Sequence, residues 1–155
     1  MKHILVLLVL SFGAPAHADL SIFLCSVGTK ELSVNADANY VSYAFGPPSA
    51  PELELVNPLE RNGFTPWPGI GRAIFESVAF ENEGFSYVVH WSLDRLMPGG
   101  VMEGGVTISG GGDVETTLLC DPGSVQAPFF TLSDHLSGAG LCLDLEARSW
   151  GTCSN

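Results

Sequence analysis

The stretch from Gly71 to Leu93 constrains the fold most, because its side chains alternate in the manner of a long β-hairpin. From Phe85 to Leu93, apolar residues occupy every second position and mostly polar residues lie between them. A period of two is typical of a strand with one buried face. Gly84 can adopt a positive φ, so the sequence predicts a turn over residues 81–84 and an antiparallel hairpin at the centre of a sheet.

Further runs with this alternation lie on both sides of the hairpin, separated by turn-forming residues. The sequence predicts strands near residues 20–27, 30–36, 41–45, 53–55, 72–80, 85–93, 101–109 and 114–120. About eight short antiparallel strands predict an all-β domain, built as a small barrel or sandwich. Gly104 and Gly105 predict a bulge or a sharp bend in the seventh strand.

The remaining residues, 122–155, are expected to form a C-terminal appendage packed on a β domain of residues 19–121. Thr131 is expected to cap a short helix that continues through Leu141, with Asp134 in its first turn. After the helix, three residues form an apolar tail that packs on the domain: Leu143, Leu145 and Trp150.

The chain contains four cysteines. An even number in an exported chain indicates disulfides. Of the three possible pairings we favour Cys25–Cys120, which joins the first strand to the end of the last, and Cys142–Cys153, which closes a small loop. The alternative of metal ligands lacks a Cys-x-x-Cys or a paired-histidine spacing, so no metal site is predicted.

Residues 1–18 have the pattern of a secretion signal. A short basic start precedes an apolar run from Ile4 to Phe12, and Ala16-His17-Ala18 is typical of a cleavage site. The apolar run is too short to span a membrane, and Cys25 lacks the preceding small residues of a lipoprotein site. The sequence therefore predicts a bacterial protein that is periplasmic or extracellular, without a membrane span or a lipid anchor.

The chain is strongly acidic, with 17 Asp and Glu residues, six Lys and Arg residues and a formal net charge of −11. Nucleic acid is excluded as a partner because phosphate binding requires the opposite charge. An acidic surface attracts basic proteins, so a basic protein or another envelope component is the expected partner of a monomer.

The segment from Asn57 to Gly71 is rich in proline and glycine, which predicts a long irregular loop. Aromatic and basic side chains in such a loop are typical of a recognition surface. An alternative is that the loop folds back as a lid over one end of the sheet. The candidate binding residues are Arg61, Phe64, Trp67 and Arg72.

No catalytic residue is predicted. The chain has no Gly-x-Ser-x-Gly motif, and His90 and His135 are expected to be a surface and a capping residue. No phosphate loop or dinucleotide motif is present, so no cofactor is predicted.

Two pairs of carboxylates lie two residues apart, Glu52 with Glu54 and Glu81 with Glu83. They are interpreted as solvated edges, with weak Ca²⁺ binding at the second pair as an alternative. A hydrolase that uses a carboxylate pair remains a further hypothesis.

Three runs of sequence, LCSVGTKELSV, YVSYAFG and PELEL, resemble small exported proteins of proteobacteria that lack an assigned function. The shared motifs lie at Cys25 to Gly28, Tyr43 to Gly46 and Leu118 to Cys120. The resemblance covers most of the chain from Leu20 to Cys120. It implies an exported β protein and brings no activity with it.

The layout is also similar to that of the periplasmic and membrane-bound inhibitors of c-type lysozyme, which are small exported barrels that insert a loop into the lysozyme cleft. The present chain departs from them in lacking a Ser-Gly-x-x-Tyr-like loop and in having a second cysteine pair. The inhibitory residues are therefore not carried over.

The favoured function is a non-enzymatic exported binding protein. The alternatives are an inhibitor of a basic envelope hydrolase such as c-type lysozyme, a hydrolase, and a purely structural envelope protein.

Overall fold

The structure is a computed structural model that describes residues 19–112 and 115–153. The signal peptide expected at residues 1–18, and residue 114, the first of the predicted strand 114–120, lie outside the described residues. In chain order the strands and helices are β1 (Leu20–Val27), β2 (Lys30–Ala36), β3 (Tyr40–Gly46), β4 (Leu53–Pro58), a 3-10 helix (Leu59–Arg61), β5 (Phe64–Thr65), β6 (Ala73–Asn82), β7 (Phe85–Asp94), β8 (Glu103–Gly110), β9 (Glu115–Leu119), α1 (Thr131–Gly138), β10 (Leu141–Asp144) and β11 (Ser149–Thr152).

The strands form two antiparallel sheets and a separate hairpin. Strands β1 to β4 follow one another in the first sheet, β5 to β9 in the second, and β10 pairs with β11. Within the described residues the two sheets are not joined into one closed ladder. The all-β prediction is confirmed, and the predicted hairpin, β6 with β7, forms the middle of the larger sheet. Strands β5, β10 and β11 are additional to those expected.

Side chains from both sheets meet in one core. The ring centroids of Phe23 in β1 and Trp91 in β7 are 5.4 Å apart, and those of Tyr43 in β3 and Phe80 in β6 are 5.6 Å apart. Val89 and Trp91 are buried, as the alternation in the hairpin predicted. Burial raises the pKa of Tyr43 to about 12, so its phenol stays neutral within the core.

The chain beyond β9 returns along the outer edge of β1. The backbones of Leu24 and Gln126 exchange two hydrogen bonds, of 2.8 and 2.9 Å. The predicted disulfide between Cys25 and Cys120 is present, with its Cα atoms 5.8 Å apart. This arrangement covers an edge that would otherwise offer unpaired backbone groups to other chains.

The bulge predicted at Gly104 and Gly105 is wrong. Strand β8 keeps an unbroken register with β7, in which Gly104 lies opposite Trp91 and Gly105 opposite His90. The glycines are required by close packing instead, because a Cβ on Gly104 would lie 2.9 Å from the ring of Phe23. Glycine in a strand marks either a bulge or a close approach, and the sequence does not distinguish these two cases.

The irregular loop predicted for residues 57–71 is partly wrong, because its first half has regular structure. It contains the end of β4, the 3-10 helix and β5. Asn62, only 2% exposed, donates from Nδ2 to the carbonyl of Leu59 and accepts the N–H of Phe64 at Oδ1. Asn57 donates to the carbonyls of Asn62 and Ala79. Two amide side chains thus pair with backbone groups of this segment and with one carbonyl of β6.

The helix predicted from Thr131 to Leu141 is shorter than expected and has a different cap. The helix α1 ends at Gly138, and its N-cap is Phe130, with a φ of 68° and no side-chain cap. Thr131 is inside the helix. The backbone N–H of Phe130 donates to the Glu76 carboxylate at 3.1 Å, so a residue distant in sequence holds the residue at which the helix begins.

The C-terminal residues form a hairpin where an apolar tail was expected. The predicted disulfide between Cys142 and Cys153 is present and ties β10 to the end of β11. Leu145 is 82% exposed at the hairpin turn and so does not pack on the body as predicted. Throughout residues 19–112 and 115–153, no helix is long and apolar enough to cross a membrane.

Candidate functional site

The four candidate binding residues lie along one end of the larger sheet, in different environments. Arg61 is exposed at the end of the 3-10 helix, whereas Phe64 is only 2% exposed and belongs to the core. Trp67 is partly buried, and Arg72 is exposed immediately before β6. The first half of the segment therefore packs onto the sheet, and its second half stays at the surface.

The first cleft lies where this segment meets the C-terminal hairpin, and we call it the arginine cleft. Its volume is about 500 Å³. Two arginines line it, one from each of these two segments, and Glu60 is the one acidic residue that lines it within the described ranges. Its lining residues are Glu60, Arg61, Asn62, Gly63, Phe64, Thr65, Arg148, Ser149 and Trp150.

The two arginines of this cleft are not engaged elsewhere. The ion pairs within the described part of the chain are Lys30 with Glu52 and Arg72 with Asp94, so neither Arg61 nor Arg148 takes part in one. The Nε1 of Trp150 is buried and has no hydrogen-bond partner among the described residues. The cleft thus carries two guanidinium groups that form no ion pair within the described residues.

The β10–β11 turn determines where Arg148 lies. Asp144 accepts the backbone N–H groups of Glu146 and Ala147 at its Oδ1, each at 2.9 Å. Arg148 follows in the left-handed region with a φ of 52°. A non-glycine residue in this region is uncommon and is held there by its surroundings, here by the Asp144 turn and the Cys142–Cys153 disulfide.

A second cleft, which we call the apolar cleft, adjoins the first. Its volume is about 300 Å³, and it shares Arg148 with the arginine cleft. Its other walls are apolar, and they come from the loop after β5 and from the tip of the C-terminal hairpin. They are formed by Pro66, Trp67, Pro68, Leu143 and Leu145.

Trp67 is held in place by three contacts. Its Nε1 donates to the carbonyl of Ile70 at 2.9 Å, its ring centroid lies 6.4 Å from that of Phe130, and the Arg95 guanidinium lies 4.9 Å from its ring centroid. Arg95 in turn donates to the backbone carbonyls of Gly71 and Arg72. The indole is therefore held in one position, so that less conformational entropy of this side chain is lost when a ligand binds.

Arg72 has a structural partner. Its Nε donates to Oδ2 of Asp94 at 2.7 Å. The hydrogen bond to Asp94 raises the pKa of Arg72 above its ordinary value, and the same bond lowers the pKa of Asp94. This pair joins the start of β6 to the end of β7, so the charge of Arg72 is largely balanced within the protein.

Sequence reasoning missed Arg148, Trp150, Leu143, Leu145 and Arg95 as members of this region. Arg148 and Trp150 are separated from Arg61 by most of the chain, and no local pattern connects them. The prediction that the last cysteines form a small closed loop was the one signal that could have indicated a rigid surface there.

Glu76 lies beneath this region and is 1% exposed. It accepts the Phe130 N–H, as described above, and it faces Trp91 across the β6–β7 pair. Burial raises the pKa of the Glu76 carboxyl above its ordinary value, and the nearby charge of Asp134 adds to this. Phe130 therefore contacts both Glu76, through its N–H, and Trp67, through its ring.

The histidines and the paired carboxylates lie apart from the two clefts. His90 Nε2 is 3.5 Å from the Thr107 hydroxyl, and burial lowers the pKa of His90. His135 Nε2 is 2.8 Å from the carbonyl of Asp37, to which it donates. Glu52 pairs with Lys30 at 2.6 Å, and Glu81 and Glu83 are exposed at the β6–β7 turn. In the described ranges, no group of three or more potential metal ligands is present.

No protein-family model, curated protein or solved structure matches this chain. The resemblance to small exported proteins of proteobacteria, and the similarity in layout to inhibitors of c-type lysozyme, therefore stay predictions.

Proposed function

We propose that this chain is an exported, non-enzymatic binding protein that recognises its partner through the arginine cleft and the adjoining apolar cleft. The observation that carries the proposal is the meeting of Arg61 and Arg148 in one cleft, neither of them in an ion pair within the described residues. Arginine beside aromatic side chains in a partly enclosed site is typical of a binding hot spot.

The distribution of charge supports this choice of surface. Two of the four arginines, Arg61 and Arg148, line the clefts and a third, Arg95, lies against Trp67, while Lys30, the one lysine among the described residues, pairs with Glu52 at 2.6 Å. Surface ion pairs contribute little to stability, and unpaired surface arginines contribute less. A concentration of arginine on an otherwise acidic molecule is therefore better explained by recognition than by folding.

Export is part of the proposal. Two disulfides are common in proteins that fold in an oxidising compartment. One of them ties together the hairpin that carries Arg148 and Trp150, so oxidation stabilises the site itself. The envelope or its surroundings would then supply the partner.

The first prediction concerns partner capture. Mature protein from Asp19 onwards is used as bait in an envelope extract at physiological salt, beside the double variant Arg61→Gln/Arg148→Gln. We expect the wild-type protein to retain a partner that the double variant loses, because the two guanidinium groups form the charged wall of the site. The Lys30→Gln variant, which removes a positive charge far from the clefts, is the matched control and should behave as wild type.

Identical captured material from the wild-type protein and the double variant would contradict the proposal. A c-type lysozyme assay run in parallel, at low and physiological salt, tests the inhibitor alternative. If the double variant still inhibits lysozyme, the acidic part of the surface, and not the arginine cleft, is the binding site for lysozyme. The circular dichroism spectrum of each variant establishes that it is folded.

A further inference from the structure

We infer that the ligand of the two clefts is a short peptide segment in which carboxylate groups adjoin a large apolar side chain. This inference rests on the proposed function, since it assigns a ligand class to the same site. It runs against the simplest expectation from a net charge of −11, which is a basic partner. The local chemistry of the clefts decides between these two expectations.

The arginine cleft has the composition of an oxyanion site. Among residues 19–112 and 115–153, two arginines and one glutamate line it. A guanidinium presents a planar fork of N–H donors that matches the two oxygens of a carboxylate. A basic ligand would instead meet two like charges there.

The apolar cleft places a non-polar contact directly beside this charge. Arg148 lines both clefts, so a group bound to its guanidinium also lies near the walls formed by Trp67, Leu143 and Leu145. Leu145 is 82% exposed on a hairpin held by a disulfide. An exposed leucine on a rigid support next to a fixed indole indicates a contact surface for an apolar side chain.

The dimensions favour a short segment. The two volumes, about 500 and 300 Å³, fall within the range of pockets that hold small ligands, roughly 300–1,000 Å³. A peptide that ends in a leucine preceded by a glutamate supplies two carboxylates for the two arginines and one side chain for the apolar cleft. Phosphate would satisfy the arginines and leave the apolar cleft without a contact.

The test is a calorimetric titration of the mature protein with acetyl-Ala-Glu-Leu bearing a free C-terminal carboxylate. Three comparison ligands isolate each contribution: acetyl-Ala-Gln-Leu amide removes both charges, acetyl-Ala-Glu-Ala removes the apolar group, and inorganic phosphate supplies charge alone. We expect the neutral peptide and the alanine peptide to bind at least about tenfold more weakly, the equivalent of one charge-assisted hydrogen bond or one apolar side chain. We expect phosphate to bind more weakly than either peptide acid.

Variants of the protein give a second, independent readout. Arg61→Gln and Arg148→Gln should each weaken binding of the peptide acid by about tenfold, and Lys30→Gln should leave it unchanged. Glu60→Gln should strengthen binding, because it removes the one carboxylate that lines the arginine cleft among the described residues. All four positions are at the surface, so the variants are expected to fold, and their melting temperatures check this.

Three results would overturn the inference. The first is that the neutral peptide binds as tightly as the peptide acid, and the second is that phosphate does. The third is that the peptide acid does not bind at millimolar concentration. If one of them occurs while partner capture still depends on Arg61 and Arg148, the ligand class is wrong and the proposed function stands. If capture is independent of both arginines, the proposed function itself fails.

Discussion

At the scale of single residues, Glu76 is the charged side chain that the fold buries most completely among the residues described, with 1% of it exposed. Its carboxylate accepts the N–H of Phe130, the residue with a φ of 68° that begins α1. An ionised carboxylate in this environment has lost most of its hydration, and its hydrogen bonding compensates for only part of that loss. Ionised Glu76 therefore costs the folded state some stability.

Stability should consequently depend on pH through Glu76. Because its folded-state pKa is raised above the ordinary value of 4.5, the contribution of Glu76 to stability is fully present below that pH and is lost as the pH rises through the folded-state pKa. Each unit of elevation corresponds to about 1.4 kcal/mol. We expect the free energy of unfolding of the wild-type protein to fall relative to that of Glu76→Gln between pH 4 and pH 7, as measured by urea denaturation.

The exposed Glu54→Gln variant is the control for this measurement, since it removes a strand carboxylate that the fold does not bury. Its stability should remain parallel to that of the wild-type protein over the same range. Parallel curves for Glu76→Gln as well would show that Glu76 does not contribute to the pH dependence. A difference in the free energy of unfolding that is the same at every pH reports only how well the glutamine side chain packs. The change of that difference with pH is the quantity that tests the prediction.

At the scale of the elements, the contact between β8 and β1 shows how closely the two sheets approach. Gly104 lies opposite Trp91 in the β7–β8 ladder, and the ring of Phe23 occupies the space where its side chain would be. Phe23 and Trp91 are themselves in ring contact at 5.4 Å. The glycine thus allows two aromatic side chains from different sheets to pack over the same strand.

Replacing this glycine should be costly. A Cβ at residue 104 would lie 2.9 Å from Phe23 and 3.0 Å from the carbonyl oxygen of His90, so we expect Gly104→Ala to destabilise the protein by about 1–3 kcal/mol through overpacking. Gly151→Ala is the matched control, because Gly151 is also in a strand and a Cβ there meets no atom within 4 Å. Chemical denaturation checks both, and equal stability of the two variants would contradict this account of Gly104.

At the scale of the whole molecule, the two disulfides act over different lengths of chain. Cys25–Cys120 spans 95 residues and joins the first sheet to the end of the second, whereas Cys142–Cys153 spans 11 residues within one hairpin. In the chain-entropy description, a longer closed loop restricts the unfolded state more. The first disulfide therefore governs global stability, and the second governs the local order of the surface that carries the clefts.

Removing each disulfide should separate these roles. We expect Cys25→Ala/Cys120→Ala to cost roughly 4.7 kcal/mol and Cys142→Ala/Cys153→Ala roughly 2.8 kcal/mol, from loop length alone. Only the second pair should reduce partner capture in a protein that remains folded, because it loosens the hairpin bearing Arg148 and Trp150. Thermal denaturation and the capture experiment measure the two effects, and full capture by the second variant would contradict a role for the hairpin.

The features determined by the sequence alone are those that depend on short-range order. Alternation with a period of two, punctuated by glycine and proline, sufficed for the eight main strands and for the central hairpin. The cysteine count predicted two disulfides, and the predicted positions of the first and last strands, with the short Cys142–Cys153 spacing, selected the pairing. Each of these signals lies within a few residues or depends on a residue type with few possible roles, so local sequence carries it without knowledge of the fold.

The tertiary structure alone decided the site. Arg61 and Arg148 meet because the C-terminal hairpin returns to the start of the second sheet, and a four-residue strand such as β10 or β11 is too short for its period to be recognised. Glu76 looks like a surface carboxylate in the sequence and is buried because α1 packs over it. Which distant segments come together depends on how the apolar faces are covered, and a one-dimensional pattern does not contain that information.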